Sequence, residues 1–117
     1  MIKKLDFNID ELSSMKTVPK DILYLGKKEL LKNRKISIVG TRRPCAYTKQ
    51  ITHKLSQLLS NNGFTIVSGA AMGVDTIAHQ AANENTIAVM ANGLDIRYPS
   101  VNKNLIKSME ENSLVIS

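Results

Sequence analysis

"ISIVGTRRPCAYTKQITHKLSQLLSNNGFTIV", Ile36 to Val67, holds the reading on which the fold turns. A short run rich in β-branched residues, Ile36 to Val39, predicts a strand that ends at Gly40. From Tyr47 to Asn62 the apolar positions Tyr47, Ile51, Leu55, Leu58 and Leu59 recur at the spacing of one helical face, and Asn61, Asn62 and Gly63 form a stop signal. Apolar residues resume at Phe64 to Val67. Strand, helix, strand is a βαβ unit with parallel strands, and the stripe predicts that the helix lies with those side chains against the sheet.

The same alternation continues downstream. Strand-like runs occur at Thr86 to Met90 and Leu114 to Ser117, with helices predicted over Val74 to Asn83 (Ile77, Ala78, Ala81 and Ala82 inward) and Val101 to Glu111 (Leu105, Ile106 and Met109 inward). The pattern β-α-β-α-β-α-β predicts an α/β protein, a Rossmann-like three-layer fold with a mostly parallel sheet covered on both faces. Ligands of such sheets bind beyond the strand C-termini, at a topological switch point. Upstream, Asp21 to Gly26 is strand-like and Lys27 to Lys35 is a short basic helix or turn. The chain divides into an N-terminal segment, residues 1–35, that packs on or leads into the domain, and the Rossmann-like domain proper, residues 36–117.

Composition narrows the function. The 117 residues and 43% hydrophobic content suit one soluble domain. One cysteine, Cys45, excludes an internal disulfide, and with only His53 and His79 beside it no zinc set is expected. No run approaches the roughly 20 apolar residues of a membrane span, and the N-terminus lacks a signal peptide's apolar stretch, so the expected location is the reducing cytoplasm, with no membrane partner. The net charge of +6 favours polyanionic partners. Much of it lies in residues 1–35 among acidic neighbours, as a solvated face. By contrast Arg42, Arg43, Lys49 and Lys54 occupy a stretch, Ser37 to Gly73, with no acidic residue at all.

Three loops leave the predicted strand C-termini: "GTRRP" after the first, "SGAAMGVD" (Ser68 to Asp75) after the second, "ANGLDIRYPSVN" (Ala91 to Asn102) after the third. Glycines there allow close backbone approach, and successive amides at a helix start can hold an anion. Arg42 and Arg43 add planar forks suited to phosphate oxygens. The expected phosphate-binding set is Gly40, Thr41, Arg42, Arg43, Lys49, Ser68, Gly69, Ala70 and Gly73. Against it, glycines at βα turns also serve simple helix-on-strand packing, and an Arg-Arg pair in a loop is commonly only solvated. Neither G-x-G-x-x-G nor G-x-x-x-x-G-K-[ST] is present, which weakens dinucleotide and P-loop readings; no cofactor is expected.

"VGTRRP", "SGAAMGVDTIAH" and "ANGLDIRYPSVN", in this order, resemble the DNA-processing protein A family, also called Smf. The resemblance implies a Rossmann-like domain that binds single-stranded DNA without sequence preference, works as a dimer, and loads the RecA recombinase in natural transformation, with no catalytic residues. It also implies that Arg42 and Arg43 face a DNA phosphate. Thr41, Cys45 and Thr48 stand where the family often has a serine, a serine or threonine, and a glycine, and Met72 where it often has a basic or bulky residue. Family members continue past the position of Ser117 through further elements of the same domain, including the dimerising region, so this chain is expected to be incomplete relative to the family domain.

Other residues admit two readings. Asp75 and His79 stand four apart on a helix as an acid-base pair or, more blandly, as a helix start and a surface contact. Cys45 near a helix start is a low-pKa thiol or an incidental one. Tyr98 offers a stacking face to a base or anchors its loop on the sheet. The competing function is that of the nucleoside monophosphate phosphoribohydrolases, which grip one phosphate on similar loops; their proline-glycine-glycine-x-glycine-threonine motif is absent from this chain.

Overall fold

The computed structural model describes all residues, Met1–Ser117. Six strands and three α-helices follow in the order β1 (Lys3–Lys4), β2 (Leu23–Gly26), β3 (Lys35–Ser37), α1 (Ala46–Asn61), β4 (Thr65–Ser68), α2 (Val74–Ala81), β5 (Thr86–Val89), α3 (Lys103–Asn112) and β6 (Leu114–Ile116), with short 3₁₀ turns at Asp10–Leu12, Lys28–Lys32 and Ser100–Asn102. The sheet order is β1-β2-β6-β5-β4-β3. Strands β3 to β6 are parallel, and β2 and β1 extend the sheet antiparallel beyond β6.

The four parallel strands lie side by side in chain order, so every crossover steps in the same direction. Right-handed crossovers that all step one way place their helices on one face. Register and packing agree: Ser68, Ala88 and Val115 are neighbours across β4, β5 and β6, Ile66 shares their face, and the cores on that face are built with Ala78 and Ala82 at α2 and with Ile106 and Met109 of α3. The opposite face, with Val67, Ile87, Leu114 and Ile116, is covered by Leu5, Phe7, Ile9, Leu30 and Leu31. The third layer is therefore the N-terminal segment, which also gives the sheet two strands. No strand-order reversal separates two parallel strands of this chain, which corrects the expected switch point. The loops 40–45, 69–73 and 90–102 nevertheless leave one edge of the sheet, because the strands they follow are parallel.

A second correction concerns α1. Its buried positions are Thr52 and Ser56, while Tyr47, Ile51, Leu55 and Leu58 of the apolar stripe are exposed. The reason is close helix packing: Ser56 Oγ donates to the Ala78 carbonyl at 2.6 Å and Ser60 Oγ to the Ala82 carbonyl at 2.9 Å. Small hydroxyl side chains let α1 approach α2, and hydrogen bonds satisfy their polarity. Strand β3 is likewise an edge strand with Ile36 exposed, not a buried one. A denaturation comparison follows. Ser56→Leu, at a fully buried site, should cost more than ~2 kcal/mol by overpacking, whereas Leu58→Ala, at a side chain 61% exposed, should cost less than ~1 kcal/mol. Equal urea midpoints for the two variants would restore the stripe as the inner face.

Candidate functional site

The loop after β3 is the outward one. Gly40, Thr41, Arg42 and Arg43 are all exposed, as are Lys49 and Lys54 on α1. None of these four cations makes an ion pair, in contrast to Arg97 of the third loop, which is held in a two-point pair with Glu110 at 3.1 and 2.8 Å. That pair and its charge hold the Arg97 guanidinium above its ordinary pKa. Free positive charge at the loop edge therefore comes from Arg42, Arg43 and the start of α1. The Thr41 hydroxyl accepts the Arg43 amide at 3.2 Å and tightens the turn between the two arginines.

The loop after β4 faces inward, which corrects part of the expected grip. Ser68 is buried, and its hydroxyl donates to the Ile38 carbonyl at 2.6 Å. The Gly69 amide donates to Asp75 Oδ2 at 3.0 Å, the Ala71 amide to the same oxygen at 3.4 Å, and the Ala70 amide to His79 Nε2 at 3.1 Å. Three of the amides that could have cradled an anion, those of residues 69–71, are taken by a carboxylate and an imidazole of the chain itself, while the Met72 and Gly73 amides have no such partner. Ser68, Gly69 and Ala70 thus build the loop rather than present donors to a ligand. Gly73, at φ 87°, is half-buried against the first loop, where an added Cβ would sit 2.6 Å from the Arg42 carbonyl oxygen. Gly73 therefore serves close packing, but of the second loop on the first rather than of helix on strand.

Asp75 stands in the first turn of α2 as expected, but neither it nor His79 is a surface residue, and each hydrogen-bonds the 69–71 backbone rather than the other. Both are buried on the inner side of α2. His79 Nδ1 lies 2.7 Å from Thr86 Oγ1, and Thr86 Oγ1 donates its own proton to the Ile66 carbonyl at 2.7 Å. The hydroxyl must therefore accept from the ring, so Nδ1 carries the proton and Nε2 is free to accept from Ala70. Burial pushes the imidazole pKa down to about 4, partly opposed by the Asp75 carboxylate. Asn102, also buried, completes the arrangement by donating to the Ala70 carbonyl and to Thr76 Oγ1, each at 2.9 Å. Sequence reading missed Asn102 and Thr86. The available signal was a glycine-rich turn whose amides needed acceptors, with Asp75 and His79 one helical turn apart just beyond it.

One further expectation changes. Tyr98 does not anchor its loop: it is 65% exposed, and Asn102 makes the anchoring bonds. Cys45 is exposed, and its thiol pKa is lowered first by the hydrogen bond with the Thr48 hydroxyl and then by backbone amides at the start of α1, in line with its place at a helix start. A groove of about 820 Å³ lies in the N-terminal layer and is lined by no residue of the three loops. No helix is long and apolar enough to cross a membrane.

Residues 5–117 match the family model for DNA recombination-mediator protein A. The chain is 40% identical over 110 residues to the DNA processing protein DprA of Streptococcus pneumoniae, spanning 92% of this chain and 39% of that protein. It is 39% identical over 106 residues to Protein Smf of Synechocystis, spanning 85% of this chain and 27% of that one. A solved structure of DNA processing protein A from Helicobacter pylori, described for its single-stranded DNA binding mode, superposes with a TM-score of 0.97 at 38% identity, over 99% of this chain and 54% of that one. The chain thus spans well under two thirds of these relatives. The matched range takes in the N-terminal layer from Leu5 on, all three loops and strands β2 to β6, and the chain belongs to the DNA recombination-mediator protein A (DprA/Smf) family.

Proposed function

We propose that this chain binds single-stranded DNA through phosphates laid across the exposed loop Gly40 to Arg43 and the start of α1 at Lys49, without reading base sequence. The observation that carries this reading is the contrast between the two loops. Arg42 and Arg43 are exposed and unpaired, while the amides of residues 69–71 are already occupied by Asp75 and His79. A phosphomonoester enzyme needs an enclosed cradle of free amides around its terminal phosphate. A strand backbone needs only an open basic edge. The single-stranded DNA binding of the Helicobacter pylori relative supports the same reading. In the longer proteins of this family the chain's role is that of a non-catalytic mediator: a cytoplasmic homodimer that presents bound single strands to the RecA recombinase during natural transformation.

Titration of fluorescent oligo-dT by anisotropy at several salt concentrations tests the binding. With three to four phosphates engaged, the log-log salt slope should lie near roughly −2 to −3, at about −0.7 per phosphate on a single strand. A slope near zero removes the electrostatic basis of the proposal. Incubation with adenosine monophosphate tests the phosphoribohydrolase alternative, since such an enzyme releases free base; release above a control without protein overturns the DNA-binding reading.

A further inference from the structure

We infer that Gly73, and behind it Asp75, His79 and Asn102, are positioning residues that set where Arg42 and Arg43 sit. The inference rests on the proposal that those arginines hold DNA phosphate. Loop 40–43 has little of its own to fix it. Its one internal bond is from the Arg43 amide to the Thr41 hydroxyl, and its side chains lie in solvent. What fixes it is the start of α2. The Thr41 carbonyl accepts from the Val74 amide at 3.1 Å. Gly40 packs so closely on Val74 that an added Cβ would sit 2.9 Å from Val74 Cγ2, and Gly73 backs directly onto the Arg42 carbonyl. The arginine loop is seated on Gly73 and Val74.

That seat is held from below. The carboxylate of Asp75 gathers the Gly69 and Ala71 amides, His79 Nε2 takes the Ala70 amide, and Asn102 Nδ2 donates to the Ala70 carbonyl. Ala70 stands at φ 58°, a conformation an alanine keeps only where its surroundings impose it, and here both its amide and its carbonyl are bonded. The order of dependence runs from buried α2 side chains to the 69–73 backbone, then to Gly73 and Val74, then to the Thr41 carbonyl and the two arginines. A guanidinium that must meet phosphate oxygens tolerates displacement of only about 0.5 Å, so the loop cannot shift freely without loss of the contact.

Two glycine substitutions isolate this dependence. Gly73 and Gly63 both stand at positive φ, 87° and 88°, where an alanine strains the backbone; the ψ of −124° at Gly73 lies outside the left-handed helical region, so there the strain itself also falls on the seat of the arginine loop. An added Cβ at Gly63 meets nothing within 4 Å, whereas at Gly73 it meets the arginine loop. Oligo-dT anisotropy on variants whose circular dichroism matches that of the unaltered chain should show Gly63→Ala binding within about twofold of it. Gly73→Ala should bind ten times or more weaker, with a salt slope reduced by about one phosphate contact. Asp75→Asn supplies an arm without added volume and with opposite signs. Removing a negative charge near the DNA strengthens binding by charge alone, but loosening the seat weakens it, and a three- to tenfold loss is expected. Binding of Gly73→Ala equal to Gly63→Ala, or of Asp75→Asn unchanged or tighter, overturns the inference even where Arg42→Glu/Arg43→Glu abolishes binding. If that double variant itself binds normally, the DNA reading of the arginines fails first.

Discussion

Replacing Arg42 and Arg43 together by glutamate should lower the affinity for oligo-dT by at least ~100-fold, about 3 kcal/mol, since each charge-assisted contact contributes about 1.5–3 kcal/mol and the new carboxylates repel the strand. The comparison is Lys16→Glu/Lys20→Glu. It changes net charge by the same amount on exposed residues that make no ion pair, in the segment before β2 that belongs to the layer on the opposite face of the sheet. Diffuse charge acts on both variants, so the control should lose less than ~10-fold at moderate salt, where fields are screened beyond about 10 Å. Neither substitution touches the core. Arg42 and Arg43 are exposed and accept no burden of packing, and thermal melting should place both variants within a few degrees of the unaltered chain. Equal losses for the two pairs would mean that the chain attracts DNA by net charge alone, and the loop would lose its special role.

What the sequence made legible follows from which forces are local. Strand and helix identities came through because alternation of apolar runs with amphipathic stretches reports burial directly, and the loops after β3, β4 and β5 could be placed on one edge because parallel strands require it. The inner face of α1 did not come through. The apolar stripe Tyr47, Ile51, Leu55 and Leu58 is the stronger periodic signal, yet Thr52 and Ser56 face inward, because the closeness of α1 to α2 is set by small residues on both helices, including Ala78 and Ala82. Hydrophobic period cannot express a demand for smallness. The site divides in the same way. Arg42 and Arg43 were recognisable because free charge at a strand end is visible in one dimension. The occupation of the 69–71 amides was not, because the acceptors Asp75 and His79 and the donor Asn102 meet at the loop only after α2 and the third loop have packed. The glycine-rich stretch suggested an open anion cradle, and the fold fills its first three amides, those of residues 69–71, from within.

The buried imidazole makes stability depend on pH in a defined window. His79 has a pKa of about 4 in the folded protein, against about 6.5 when the chain unfolds. The native state therefore resists a proton that the unfolded state accepts. Above pH ~6.5 both states leave the ring neutral and the full stability is present; as pH falls from there toward 4 the unfolded state gains a proton first, and stability is lost across that interval. The size of the loss is about 3 kcal/mol, or roughly 10 °C in melting temperature for a domain of this length. The geometry gives the reason. Protonation would place an Nε2–H against the Ala70 N–H, donor to donor, while Nδ1 is already committed to Thr86. Carboxylates also titrate near the lower end of the window, so the measurement is a difference. Urea midpoints of the unaltered chain and of His79→Gln are followed from pH 7.5 to pH 4. Glutamine can offer an acceptor to the loop but has no proton to gain. At pH 7.5 His79→Gln should be less stable by about 1–3 kcal/mol, the cost of disturbing two buried hydrogen bonds. Its curve should then run flatter, and the gap should close or reverse by pH 4. Parallel curves would show that His79 carries its proton in both states or in neither, and the neutral tautomer that receives the Ala70 amide would have to be given up.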